Sequence, residues 1–137
     1  MDNCIFCKIA AGEIPSATIY EDDSFRVILD LGPAAKGHSL ILPKKHYADL
    51  YEIPEEDAAA AMVLAKKMAS LLTKALNCDG LNVVQNNGEP AGQTVFHFHM
   101  HLIPRYIGDD SGFGWNPGTL TDEVRDEILE KIRAAAD

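Results

Sequence analysis

The stretch HFHMHLIP, residues 97–104, decides the fold, because three histidines alternate with apolar residues before the run becomes wholly apolar. This pattern predicts a β-strand over residues 95–104, in which successive side chains point to opposite faces. His97, His99 and His101 should therefore share one face, with about 7 Å between neighbours at the usual rise of a strand. The opposite face should pack against a helix, and it carries Phe98, Met100 and Leu102. Three of the five histidines of the chain stand here, which indicates a functional site.

Two chemistries compete for this histidine face. Neutral imidazole is a nucleophile near pH 7 that can attack phosphorus, and it is also a common metal ligand. Cys4 and Cys7 form a C-x2-C pair, and thiolate and imidazole are preferred ligands of zinc. His46 and one strand histidine could complete such a site. Alternatively, the two cysteines are small buried residues on a short N-terminal helix.

Four more strands are expected upstream of the histidines. Two lie within residues 18–30 around the acidic turn 21–23, a third spans 37–42, and a fourth spans 81–87. Short strands separated by turn residues pair most simply as an antiparallel sheet. We therefore predict five antiparallel strands.

Two helices are expected from periodicity and end signals. The acidic start after Pro54 and apolar residues at helical spacing up to Ala75 predict a long helix across one face of the sheet. Residues 108–118 are predicted to be loop, and residues 121–136 a C-terminal helix with Thr121 as N-cap. Strands gathered around one long helix indicate an α+β fold, and we predict one domain over 1–137.

Composition limits the classes of function. The chain has 137 residues and a formal net charge of -9, which argues against nucleic acid as a partner. Neither a membrane span nor a secretory signal is apparent, so we expect a cytoplasmic protein that does not bind membranes. Three cysteines in a reducing compartment argue against a disulfide framework.

The sequence resembles the histidine triad (HIT) family. In the motif of that family, single apolar residues separate three histidines, and two apolar residues follow the third histidine. The match extends over about residues 4–106, leaving 107–137 as a C-terminal loop and helix. It includes residues 5–9 and 13–15, Asp30, residues 37–46, Asn86 and residues 92–95. The resemblance is closest to the Hint-like, zinc-bearing bacterial branch, and it implies a five-stranded antiparallel sheet with one long helix.

The resemblance implies a hydrolase or nucleotidyl transferase that cleaves a purine nucleotide at its α-phosphate through a covalent nucleotidyl-histidine. His99 takes the place of the nucleophile, His101 assists at the phosphate or leaving group, and His38 helps to position them. A nucleophilic nitrogen must be unprotonated, so we expect a backbone carbonyl to accept from the other ring nitrogen of His99. The alternatives are a regulatory nucleotide-binding module without turnover and a metallohydrolase that uses the triad directly.

The resemblance also implies the nucleotide-binding residues. Asp30 resembles the carboxylate that binds the ribose hydroxyls. The turn before the triad should surround the phosphate through backbone amides and side chains, with the shell formed by Asn86, Gln93, Thr94 and Val95. An apolar slot for the base would be formed by Phe6, Ile9, Leu29 and Leu31.

Two further features follow from the resemblance. One is a structural zinc bound by Cys4, Cys7, His46 and His97, whose four protein ligands would leave no open position for water. The other is a homodimer joined through the long helix at 55–76 and an adjoining strand into one ten-stranded sheet.

Overall fold

A computed structural model describes residues 3–109 and 114–136, and five antiparallel strands form its sheet. The strands are β1 Thr18–Glu21, β2 Phe25–Leu29, β3 Ser39–Pro43, β4 Gly80–Val84 and β5 Met100–Arg105, in the spatial order β1-β2-β3-β5-β4. The helices are α1 Ile5–Ala10, α2 Glu55–Leu76 and α3 Asp122–Ala136. The predicted α+β fold, with five antiparallel strands and one long helix, is confirmed.

The first hairpin turns at Asp22, as the acidic sequence predicts. Its Oδ1 accepts hydrogen bonds from the backbone amides of Ser24 and Phe25, at 2.8 and 2.7 Å. A short carboxylate that bonds to amides two and three residues ahead favours a tight turn over a continued strand. This turn sets the pairing of β1 with β2.

The main core lies between helix α2 and one face of the sheet. Helix α2 contributes a buried stripe formed by Ala61, Leu64, Ala65, Met68 and Leu72. The triad segment, residues 97–103, contributes Phe98, Met100 and Leu102 to the same cluster, which confirms the predicted apolar face. The residue after the helix is its C-cap, Asn77, whose φ of 53° and ψ of 42° lie in the left-handed region that asparagine tolerates.

A smaller core covers the opposite face of the sheet and supports the functional site. Ile9 of α1 packs there against Ile28, Leu40 and Leu42, with Phe6 and Ile14 at its border. Helix α1 therefore lies over strands β2 and β3. This placement brings the N-terminal residues beside the triad.

The predicted strand over 95–104 was wrong in its first half, because β5 begins only at Met100. The Phe98 amide donates to the carbonyl of Tyr47, at 2.6 Å, instead of joining the ladder. The predicted strand over 81–87 likewise ends at Val84, and beyond it the side chains of Gln85 and Asn87 bond to each other. Both segments leave the sheet to contact loops.

The chain that follows β5 adds helix α3 to the fold. Helix α3 is confirmed, and the Thr121 hydroxyl accepts from the Val124 amide at 3.3 Å, as an N-cap does. Of the predicted loop 108–118, residues 110–113 lie outside the described residues, and 114–118 have no regular structure. Among residues 3–109 and 114–136, no helix is long and apolar enough to cross a membrane.

Candidate active site

A cleft of about 380 Å³ opens between helix α1, the end of β2 and the triad segment. It brings together most of the residues that the sequence assigned to a nucleotide: Phe6, Ile9, Leu29, Asp30, Leu31, Thr94, Val95, His99 and His101. Other parts of its wall were not predicted as nucleotide-binding, namely Ile5, Ile14, Pro15, Ser16, Ala17, Ile28 and Leu40. Residues 5–9, 13–15 and 37–46 belonged to the family pattern, so a signal for Ile5, Ile14, Pro15 and Leu40 was present.

His99 is a buried imidazole whose tautomer is fixed by the backbone. Its Nδ1 lies 2.7 Å from the carbonyl oxygen of His97. A carbonyl can only accept, so Nδ1 carries the hydrogen and Nε2 keeps a free lone pair. Burial lowers the pKa of His99 below its ordinary 6.5, which keeps the ring neutral near pH 7. Phe6 packs edge-on against this ring, with centroids 4.9 Å apart.

His101 has the opposite tautomer, and the backbone fixes it through His38. The Ala34 amide donates to His38 Nδ1 at 3.0 Å, so the hydrogen of the neutral His38 ring is on Nε2. That Nε2 donates to His101 Nδ1 at 2.9 Å, which leaves the hydrogen of His101 on its own Nε2. Burial, with His99 and His38 adding to it, lowers the pKa of His101 to about 4.

The rings of His99 and His101 therefore form a pair with complementary chemistry. Their centroids lie 5.0 Å apart, and both residues line the cleft. One ring offers a nitrogen lone pair and the other an N–H donor. Such a pair can attack an electrophile and donate a hydrogen bond to its leaving group at one centre.

Asp30 lines the cleft and lies beside His38, the partner of His101. Its Oδ1 accepts from the Gly32 amide at 2.8 Å, and its Oδ2 lies 3.5 Å from His38 Nε2. The ligand atoms of Asp30, His38 and His101 fall within 4.8 Å of one another, a spacing that could hold a cation. However, His38 Nε2 carries a hydrogen as long as Ala34 donates to Nδ1. This group therefore fits proton transfer better than metal binding.

A second cluster, behind the triad, does fit a metal. The four ligand atoms of Cys4, Cys7, His46 and His97 lie within 4.8 Å of one another. His97 Nδ1 is 3.4 Å from each of the two sulfurs and 3.2 Å from His46 Nδ1, and Cys7 Sγ is 3.3 Å from His46 Nδ1. Tetrahedral zinc with ordinary bond lengths would separate its ligands by about 3.3–3.8 Å.

The protonation of the second cluster also suits a cation. His97 Nε2 donates to the Pro43 carbonyl at 2.8 Å, so its Nδ1 keeps the lone pair that faces the cluster. Burial, and then the neighbouring Cys4, raise the pKa of the Cys7 thiol to about 11. A bound cation would be required to hold this thiol as a thiolate near pH 7. The donor set therefore fits zinc.

The loop before the triad reaches the cleft only through its last residues. A single 3₁₀ turn at Glu89–Ala91 lies between Gly88 and Gly92, whose φ angles of 89° and 99° favour glycine. Thr94 and Val95 line the cleft, whereas Gln93 is buried and Asn86 does not line it. The Asn86 amide lies 3.7 Å from the point where a Cβ on Gly92 would stand. The phosphate shell predicted from the sequence is thus only partly assembled at the cleft.

A family model matches more than half of the chain. The family model described as HIT domain matches residues 11–108. Among curated relatives, a Bacillus subtilis protein named hit is 45% identical over 134 residues, covering 98% of this chain and 92% of the relative. The adenosine 5'-monophosphoramidase of Saccharomyces cerevisiae is 43% identical, covering 96% of this chain and 84% of its own. The adenylylsulfatase of Arabidopsis thaliana is 45% identical, covering 76% and 53%.

Solved structures share the fold over nearly the whole chain. A Streptococcus mutans protein superposes with a TM-score of 0.95 at 39% identity, covering 100% of this chain and 87% of its own. A zinc-bound histidine triad family protein from Mycobacterium smegmatis gives a TM-score of 0.78 at 36% identity, covering 98% of both chains.

Proposed function

This chain belongs to the HIT family, and from that premise we propose that it cleaves purine nucleotides at the α-phosphate through a covalent nucleotidyl-histidine on His99. The relatives named adenosine 5'-monophosphoramidase and adenylylsulfatase support nucleotide hydrolysis. Nucleoside phosphoramidates, adenylates and dinucleoside polyphosphates are the proposed substrate classes. The names of the relatives support testing adenosine phosphoramidates and adenylates before the dinucleoside polyphosphates.

The observation that supports this mechanism most is the hydrogen bond from His99 Nδ1 to the His97 carbonyl. Because this bond keeps the ring hydrogen on Nδ1, the lone pair on Nε2 is available to attack phosphorus. A bond forms between Nε2 and the α-phosphorus while the bond from phosphorus to the leaving group breaks. The Nδ1–H remains hydrogen-bonded to the His97 carbonyl, and this hydrogen bond stabilises the positive charge that the ring gains.

His101 assists the departure of the leaving group in the same step. Its ring stays neutral, and its Nε2–H donates a hydrogen bond to the departing nitrogen or oxygen, which takes the electron pair of the broken bond; an amine takes its proton from solvent. His38, which bonds to His101 Nδ1 at 2.9 Å, keeps the ring hydrogen of His101 on the nitrogen that His101 uses. Water then attacks phosphorus and releases one proton to solvent, the electron pair of the bond to phosphorus returns to His99 Nε2, and the nucleoside monophosphate leaves.

The cleft walls suit the rest of the nucleotide. The base occupies the apolar slot between Phe6 and Leu31, and Asp30 accepts from the ribose hydroxyls. Thr94 offers a hydroxyl to the α-phosphate. The acidic chain, with its net charge of -9, therefore holds phosphate through directed donors rather than through excess positive charge.

A substrate panel tests the proposal. One preparation is assayed with an adenosine phosphoramidate, an adenylate and diadenosine polyphosphates, beside a His99→Ala variant. We expect turnover of at least one class by the unaltered protein and none by the variant. Nucleotide binding without turnover of any class would favour the regulatory module.

The proposed cofactor is one structural zinc held by Cys4, Cys7, His46 and His97. The donor set is complete without a water ligand, so the metal would brace helix α1 against the triad segment instead of activating water. Free thiols at these positions suit the reducing cytoplasm in which we place the protein. The zinc-bound Mycobacterium smegmatis relative supports this assignment.

We also propose a homodimer formed through α2 and β4. Strand β4 is at the edge of the sheet, so two such edges can pair and give ten strands. Beside it, α2 exposes an apolar face that includes Met62 and Val63, which are 55% and 54% exposed, and Val83 at 45% adjoins them. A second copy would remove this face from water.

A further inference from the structure

Gln93 is a buried polar residue that cannot itself serve as a phosphate ligand. Its side chain is 2% exposed. The carbonyl oxygen Oε1 accepts from the Gly88 amide at 2.8 Å, and Nε2 donates to the carbonyls of Ala48 and Val95 at 2.7 and 3.1 Å. Both hydrogens of the amide group are therefore engaged with the backbone. Any role of Gln93 toward substrate must act through the residues it holds.

Within the part of the chain that the structure describes, three hydrogen-bonded connections join the loop 47–50 to the chain that leads into the triad, and Gln93 makes one of them. The Phe98 amide donates to the Tyr47 carbonyl at 2.6 Å, and the Leu50 amide donates to Asn87 Oδ1 at 2.7 Å. These bonds lie outside the ladder of the sheet. They tie the segment that carries the triad to the loop that follows His46.

Among these connections, that of Gln93 adjoins the cleft. Thr94 follows it directly, and Val95, whose carbonyl it binds, lines the cleft beside Thr94. The backbone amide of Gln93 also donates to the Gly88 carbonyl at 3.1 Å, so one residue closes the loop on Gly88 twice. The loop contains Gly88 and Gly92 at positive φ, positions where glycine gives the backbone more freedom than other residues.

We infer that Gln93 is a positioning residue of the phosphate subsite, which fixes the Thr94 hydroxyl and the adjoining backbone amides at the cleft. This inference rests on the proposed function, because it assumes that a phosphate lies beside Thr94. Removal of the Gln93 amide leaves the Gly88 amide and the Ala48 and Val95 carbonyls without this partner. The loop then moves relative to His99, while the base and ribose contacts on the far side of the cleft remain.

The test compares Gln93→Met with Gln85→Met. Methionine has a similar length but cannot form the three bonds. Gln85 is the control for a general loosening of the same segment, since its part-buried amide bonds to Asn86 and to Asn87, which makes a neighbouring connection to the loop, and none of these residues lines the cleft. Calorimetric titration with AMP and with adenosine, well below the unfolding temperature, gives the ratio of their affinities. A purely structural role of Gln93 would leave this ratio unchanged.

We expect the preference for AMP over adenosine to fall about tenfold in Gln93→Met, in line with the loss of well-placed hydrogen bonds, and to persist in Gln85→Met. The KM for the best substrate should rise in Gln93→Met, and kcat should fall as well, because the loop no longer holds the phosphate against His99. If Gln93→Met does not fold, Gln93→Asn serves, because its shorter amide adds no charge and cannot reach Gly88, Ala48 and Val95 together. An unchanged ratio in the folded variant overturns the inference, whereas an unaltered protein that neither binds AMP nor turns over any substrate refutes the proposed function itself.

Discussion

Zinc removal should lower the stability of the protein strongly, and Cys7→Ser should remove the response to zinc. A ligand that binds only the folded state at about 1,000 times its dissociation constant adds about 4 kcal/mol to the free energy of unfolding. The four ligand atoms already lie within 4.8 Å of one another, so zinc binding requires little rearrangement and little of this free energy is lost. For a chain of this length the effect corresponds to a rise in Tm of about 12–20 °C.

The assay is scanning calorimetry of chelator-treated and zinc-loaded protein. The metal-free Cys7→Ser variant should unfold close to the metal-free original, since the pKa of about 11 keeps this thiol uncharged without metal. Cys78→Ser is the matched control, because Cys78 bonds weakly to Thr73 at 3.5 Å, apart from the cluster, and should keep the full response. A Tm that does not depend on zinc, or an equal response in Cys7→Ser, would refute the assignment.

Three further predictions concern the dimer, the triad and the ribose. Light scattering should give about twice the 15.0 kDa chain mass, and Val63→Glu should give a monomer, while Tyr51→Glu should not, because Tyr51 is exposed but lies outside the apolar face of α2. Urea unfolding of metal-free protein should show stability falling as the pH drops from about 6.5 to about 4, because the unfolded chain binds protons on His101 and His97 that the folded chain does not bind, and His101→Gln should lessen this fall without abolishing it. Asp30→Asn should weaken adenosine binding about tenfold and leave 2′,3′-dideoxyadenosine unaffected, since the lost contact is with the ribose hydroxyls.

The sequence predicted the elements of the fold well because their signals are local. Helical spacing marks α2, and the acidic turn marks the hairpin at Asp22. The strand over 95–99 could not be excluded in this way, because the Phe98 amide leaves the ladder for Tyr47, some fifty residues earlier. Nothing in the alternation of the triad indicates that distant acceptor.

The site was predicted as a set of residues more fully than as a geometry. The acceptor expected for His99 is present, as the His97 carbonyl. By contrast, the tautomer of His101 depends on the Ala34 amide, a loop backbone group that carries no sequence signal. The side chain of Gln93 was assigned to the phosphate shell from its position in the motif, yet its amide is engaged within the loop. Residue identity does not specify which partner a buried amide takes.

Identification of the covalent intermediate tests the central claim most directly. The reaction is quenched within one turnover, intact mass is used to find a nucleotidyl adduct, and peptide mapping locates it. We expect an acid-labile, base-stable phosphoramidate on His99, absent in His99→Ala, which should still bind nucleotide, and still formed but more slowly in His101→Ala. An adduct on His101, or no adduct while product appears in a burst, would contradict the assignment of His99 as the nucleophile.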